Sequence, residues 1–209
     1  MTEQRTLAAF LEALGSSAPA PGGGAATALV GAVAAALAEM VAQLTAGKPK
    51  FATVEAAMRA TISQARDARE ELLALVAEDE AAFAAVAAAY RQSKTTDEEK
   101  VRREDAIQDA LARAMRPPLR MMERVCDVLA LASEVAASGN PTVVSDAGCA
   151  ALFGEAAVRA AALNVLANVV LLRDDTLADE ARATVTRLEE QAQALRERTM
   201  AAVHARMGA

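Results

Sequence analysis

The chain has 209 residues, of which 54% are hydrophobic and only 2% aromatic, with no Trp and a net charge of −6. This supports one domain over residues 1–209 with a substantial core built from Ala, Leu, Val and Met. It excludes a general nucleic-acid binder, which needs a basic surface, while a sole His204 beside Cys126 and Cys149 excludes a Cys/His zinc site by count.

Six helical segments are expected, joined by short loops. Leu7, Phe10, Leu11 and Leu14 recur at helical spacing, and Gly15-Ser16-Ser17 ends that helix. Pro21-Gly22-Gly23-Gly24 then opens a long apolar helix reaching about Leu44, with Lys48-Pro49-Lys50-Phe51 after it. That run is long enough to cross a bilayer, but Glu39 lies within it. Small residues at Ala28, Gly31, Ala35 and Ala38 fit close helix packing instead, so no membrane is expected. The proline at 49 breaks the helix, and a third segment runs from about Thr53 to Tyr90.

Thr96 and Glu99 form a capping box that starts the fourth segment, which Pro117-Pro118 kinks or restarts. Met122, Val125, Leu129 and Ala132 then form one face as far as Gly139. Ser145 is the expected N-cap of a fifth segment, Asp146 to Leu172. The last begins near Thr176, and its seam, Ala181, Val185, Leu188, Ala192, Leu195 and Val203, serves bundle or subunit packing. Alanine-rich helices bury little area each and gain by close approach to other helices, so an all-α multihelical bundle that oligomerises through helix packing is the expected architecture. The two thiols read as reduced and cytoplasmic, and no secretory signal is recognised between Met1 and Ala20.

Candidate chemistry falls at a few positions. Three glycines free the backbone and present N–H groups at a helix start, which suits a carboxylate, a phosphate or a carbonyl-rich ring, although linkers and turns use the same residues. Asp79 stands at i+7, i+4 and i+3 to Leu72, Leu75 and Val76, and at i−4 and i−7 to Phe83 and Val86, so it faces the core while Glu78 and Glu80 are offset. Burial raises a carboxyl pKa, as a general acid or base near neutral pH requires. A buried ion pair or a stripe edge open to water would place an aspartate there equally well. Lys48 and Lys50 are cationic ligand contacts or a solvated loop. Asn140 and Asp146 have ordinary structural roles as a turn residue and a first-turn acid, beside ligand roles. Asn164 and Asn168, four apart in an apolar helix, need hydrogen-bond partners.

Taken together, Ala20-Pro21-Gly22-Gly23-Gly24-Ala25-Ala26, Met40 to Thr45, Gly47-Lys48-Pro49-Lys50-Phe51, Asp79 with Ala82-Phe83, Thr96 to Lys100, Ala106-Ile107-Gln108, Gly139-Asn140, Ser145 to Gly148 and Ala161 to Val165 resemble, in order and over nearly the whole chain, the cyclodeaminase/cyclohydrolase family of folate enzymes. Ala25 stands where many relatives have Ser, and Pro49 interrupts what is often a continuous basic run. The resemblance implies an all-helical homodimer or higher homo-oligomer, acting without metal or cofactor on a tetrahydrofolate derivative. The expected reaction is hydrolysis of 5,10-methenyltetrahydrofolate to 10-formyltetrahydrofolate. Release of ammonia from 5-formiminotetrahydrofolate is the alternative, and a non-enzymatic helical scaffold the second alternative. It carries over Asp79 and Lys48 as catalytic candidates, with Lys48 and Lys50 reaching the anionic tail or a ring carbonyl, and Gly22, Gly23, Gly24, Lys50, Asn140, Ser145 and Asp146 as substrate-binding candidates.

Overall fold

The computed structural model describes residues 6–208. Every regular element among them is helical: α1 (Leu7–Leu14), α2 (Gly23–Gln43), a 3-10 segment (Pro49–Val54), α3 (Glu55–Tyr90), α4 (Asp97–Ala114), α5 (Arg116–Ser138), a 3-10 turn (Pro141–Val143), α6 (Val144–Val169) and α7 (Asp175–Met207).

Helix α2 lies against α3, α5 and α6, and α7 packs across α5 and α6. Small residues make this possible. A Cβ on Gly31 would stand 2.7 Å from Val125, and one on Gly154 2.7 Å from Leu129, so α5 approaches both neighbours at backbone distance. Ala28, Ala32 and Ala35 of α2, Leu72 and Leu75 of α3, Met121, Met122 and Leu129 of α5, Val158 of α6 and Leu188 of α7 form one buried core. With so much alanine, its stability rests on the density of contact rather than on large side chains.

The helix ends follow their local chemistry. Thr96 accepts from the Glu99 N–H at 3.2 Å while the Glu99 carboxylate accepts from the Thr96 N–H at 3.2 Å, closing the expected capping box. The proline pair restarts the chain as α5, where a missing N–H in the first turn breaks no helical bond. The α7 seam is packed within the chain, with Ala181, Val185, Leu188, Ala192 and Val203 buried.

Ser145 does not cap α6. Pro141, with its fixed φ, begins a helical path early, and Asn140 caps that turn by accepting from the Thr142 N–H at 3.2 Å. Helix α6 therefore starts at Val144, with no side-chain cap, and Ser145 is exposed in its first turn.

Helices α2 and α6 are each long and apolar enough to cross a membrane by length and composition, and 56% and 44% of their most apolar windows are buried inside the bundle. The two run antiparallel, and so do α2 and α3. Gly23 and Gly24 meet Asn164 and Asp79 at one end. At the other, Leu44 O accepts from Asn140 Nδ2 at 3.2 Å and the Gly47 N–H donates to Glu55 Oε2 at 2.7 Å.

Candidate active site

The glycine run and Asp79 are brought together. Gly22 occupies the N-cap position of α2 in extended backbone and offers no side-chain cap, leaving the first N–H groups of the helix without intrahelical partners. One of them, that of Ala25, donates to the Asp79 carboxylate. The contact depends on Gly24, because a Cβ built there would overlap the carboxylate oxygens. Burial first, and then the adjacent Glu80 carboxylate, push the Asp79 carboxyl above its ordinary value of 3.8, against the opposing pull of the Ala25 N–H.

Asp79 opens into a cavity of about 310 Å³ between α2, α3, the α4–α5 joint and the end of α6. Pro19, Ala20 and the three glycines form one wall, Phe83 and Val86 another, and Asn164 and Asn168 a third. Asn164 Nδ2 donates to Ala160 O at 2.8 Å and Asn168 Nδ2 to Asn164 O at 2.9 Å, so each amide is oriented by the turn before it and the Oδ1 acceptors are left for other donors. Phe83, expected in the core with Leu72 and Leu75, is 50% exposed and lines this cavity. The apolar stripe of α3 leaves the core at Asp79 and becomes the wall of the pocket. Glu80, offset from that stripe, also lines the cavity. Nothing in the helical periodicity marks this change of role, because pocket and core ask for the same apolar residues on the same face.

The remaining candidates lie at the far end of α2. Lys48 and Lys50 are exposed, and the Lys50 ammonium sits 4.6 Å above the Phe51 ring. Asn140 is 5% exposed and fully engaged. Its N–H donates to Thr45 Oγ1 at 2.8 Å, its Nδ2 to Leu44 O, and its Oδ1 accepts from Thr142 Oγ1 at 2.9 Å. Arg206 of α7 holds the same joint by donating to Ala136 O at 2.7 Å and Gly139 O at 2.5 Å. Ser145 and Asp146 stand beside it on the first turn of α6, where the acid meets the favourable end of the helix dipole. With 21 residues in α2, the two groups are separated by about 30 Å within one chain. The structure thus gathers Gly22, Gly23, Gly24 and Asp79 at one place and Lys48, Lys50, Asn140, Ser145 and Asp146 at another.

Residues 6–187 match the family model described as formiminotransferase-cyclodeaminase, and the chain belongs to that family. Among its relatives, the methenyltetrahydrofolate cyclohydrolase of Methylorubrum extorquens is 45% identical over 95% of each chain. The formimidoyltransferase-cyclodeaminase of Rattus norvegicus is 37% identical over 90% of this chain, which spans only 35% of that longer protein. In three dimensions, the formiminotetrahydrofolate cyclodeaminase of Thermotoga maritima superposes with a TM-score of 0.88 at 29% identity, covering 97% of both chains.

Proposed function

We propose that this chain is a methenyltetrahydrofolate cyclohydrolase, hydrolysing 5,10-methenyltetrahydrofolate to 10-formyltetrahydrofolate by acid–base chemistry at Asp79, with no metal or cofactor. The observation that carries the reading is a carboxylate of raised pKa at the mouth of a helix N-terminus, inside an apolar-walled cavity, in a chain 45% identical to an enzyme of that name.

The substrate's methenyl carbon belongs to a cationic amidinium and is already electrophilic. Asp79, ionised, attracts that cation and takes a proton from water as the C–O bond forms, giving a neutral tetrahedral carbinolamine. The protonated carboxyl then delivers the proton to the departing ring nitrogen. As the C–N bond breaks, the carbinol oxygen becomes the formyl carbonyl and its proton passes to solvent. One carboxyl group serves both steps, and a pKa raised by burial brings it closer to the working pH. The glycine N–H groups and the Asn164 and Asn168 amides are the polar groups placed to meet the pterin ring, with Phe83 and Val86 against its faces. Lys48 and Lys50, about 30 Å from Asp79 within one chain, are assigned to the anionic glutamate tail of substrate bound in a neighbouring copy of a homo-oligomer, since its carboxylates suit flexible ammonium groups. The carrier is a folate and the reaction is placed in the cytoplasm, in keeping with the two unpaired thiols.

A paired assay tests the reading. A cyclohydrolase bleaches the near-ultraviolet absorbance of methenyltetrahydrofolate; a cyclodeaminase creates that absorbance from 5-formiminotetrahydrofolate and releases ammonia. The expected result is catalysed bleaching. Ammonia release without bleaching would instead assign the sister reaction of the family, and neither activity would overturn both.

A further inference from the structure

Asn164 and Asn168 stand one helical turn apart on the same face of α6, and both line the cavity that holds Asp79. Asparagine is a poor helix-interior residue, so two in succession on one face call for a cause. Each spends its Nδ2 on the backbone carbonyl four residues earlier, Asn164 on Ala160 O and Asn168 on Asn164 O, which fixes the way the amide faces. The Asn164 Oδ1 is its nearer atom to α2, 3.6 Å from where a Cβ on Gly23 would stand, against 4.0 Å for Nδ2. Both Oδ1 atoms remain accessible and take no hydrogen bond from the described residues.

Their spacing selects a donor. Acceptors one turn apart on a helix are separated by about 5.4 Å. A planar NH2 group donates in two directions about 120° apart, and bonds of about 2.9 Å along them end on acceptors about 5 Å apart. The pair therefore suits a single amino group held from both sides. A carboxylate, with its oxygens closer together, would instead grip two neighbouring N–H groups. Asp79 and Glu80 are the other polar side chains lining the cavity, and they too are acceptors when ionised.

Deepening the function proposed above and resting on it, we propose that Asn164 and Asn168 are a specificity-determining pair: their Oδ1 atoms bracket the 2-amino group of the pterin ring and so aim the methenyl bridge at Asp79. Asn164 faces Gly23 and Asp79 faces Gly24, adjacent residues of α2. One bicyclic ring spans the two, since its 2-amino nitrogen lies about 6 Å from the methenyl carbon at ordinary bond lengths.

A substrate change paired with a side-chain change tests this. The probes are methenyltetrahydrofolate and its 2-desamino-2-methyl analogue, in which a methyl group replaces the amino group. Each is assayed with wild type and with Asn164→Leu/Asn168→Leu, whose leucines match the amides in size and admit no replacement water. The analogue also differs in ring electronics, but that difference acts on both proteins alike and cancels in the ratio of their penalties. The wild-type penalty in kcat/KM should exceed the variant's by on the order of 10- to 100-fold, the worth of two neutral hydrogen bonds, and should appear mainly in KM. Asn164→Ala/Asn168→Ala, with the best helix former at both positions, repeats the cycle should leucine disturb α6, and circular dichroism checks each fold. Equal penalties in wild type and variant, or a wild type indifferent to the missing amino group, would overturn the pairing while leaving Asp79's role intact. A wild-type chain with no turnover of methenyltetrahydrofolate itself would instead remove the function on which the pairing rests.

Discussion

Gly24→Ala places one methyl group against the reacting carboxylate. The added Cβ overlaps both Asp79 oxygens, and because Ala25, Ala28, Leu72 and Leu75 behind it are fully buried, α2 cannot back away. Asp79 must turn aside by about 1 Å to restore ordinary contact, and it loses the Ala25 N–H as it does so. Misplacement of that size at a reacting group costs on the order of 100-fold in rate. Stability should suffer less, because overpacking costs about 1–3 kcal/mol while Ala in place of helical Gly returns about 0.5–1 kcal/mol. The measurement is kcat/KM from the bleaching of methenyltetrahydrofolate, with a thermal melt on the same sample. Gly148→Ala is the control, since its Cβ would meet Val203 and Met200 at ordinary distances of 3.5–3.6 Å. A Gly24→Ala enzyme with wild-type kcat/KM would refute the claim that this glycine exists to admit the carboxylate.

Other outcomes follow from the same geometry. Because burial and Glu80 hold the folded Asp79 pKa above its unfolded value, ionising it opposes folding at pH above the folded pKa and has no such effect below the unfolded one. Asp79→Asn should therefore melt no lower than wild type at pH 7, and a clear fall in Tm would show that the charge is a stabilising ion-pair partner instead. For the same reason kcat/KM should fall as pH drops through an inflection above 3.8, and a profile flat down to that value would contradict the raised pKa. Asn140→Ala removes the part-buried bonds to the Leu44 carbonyl and from the Thr142 donors, which water can partly replace, and should cost about 0.5–1.5 kcal/mol in a denaturant or thermal melt; an unchanged Tm would deny the joint its structural role. Burial pushes the Cys126 thiol up to about 12, so thiol reagents at pH 8 should modify Cys149 and spare Cys126 in the folded protein, as mass spectrometry of the labelled chain would show.

Much of this was open to inspection in the sequence, for identifiable reasons. Thr96 and Glu99 declare a helix start because two orphan N–H groups are satisfied within four residues, a wholly local problem. Asp79 stood out because helical periodicity sets it among Leu72, Leu75 and Val76, where an acid needs a cause. Phe83 on the same helix leaves the core for the pocket wall, since the pattern marks an apolar face without saying whether the core or a cavity lies beyond it. Ser145 is no cap because Pro141 begins the helical turn four residues earlier, which a local capping pattern does not register. Gly22–Gly24 stand at one end of α2 and Lys48 and Asn140 at the other, 21 helical residues apart within a chain, and a motif pattern carries no such distance.

The claim on which the rest depends is that Asp79 moves the proton during hydrolysis of the methenyl bridge. Initial rates of near-ultraviolet bleaching, taken side by side for wild type and Asp79→Asn with matched circular dichroism, test it most directly. The wild-type chain should bleach methenyltetrahydrofolate, and the variant should be slower by on the order of 100- to 10,000-fold, the contribution of a positioned acid–base group. Equal rates from the two proteins would contradict it.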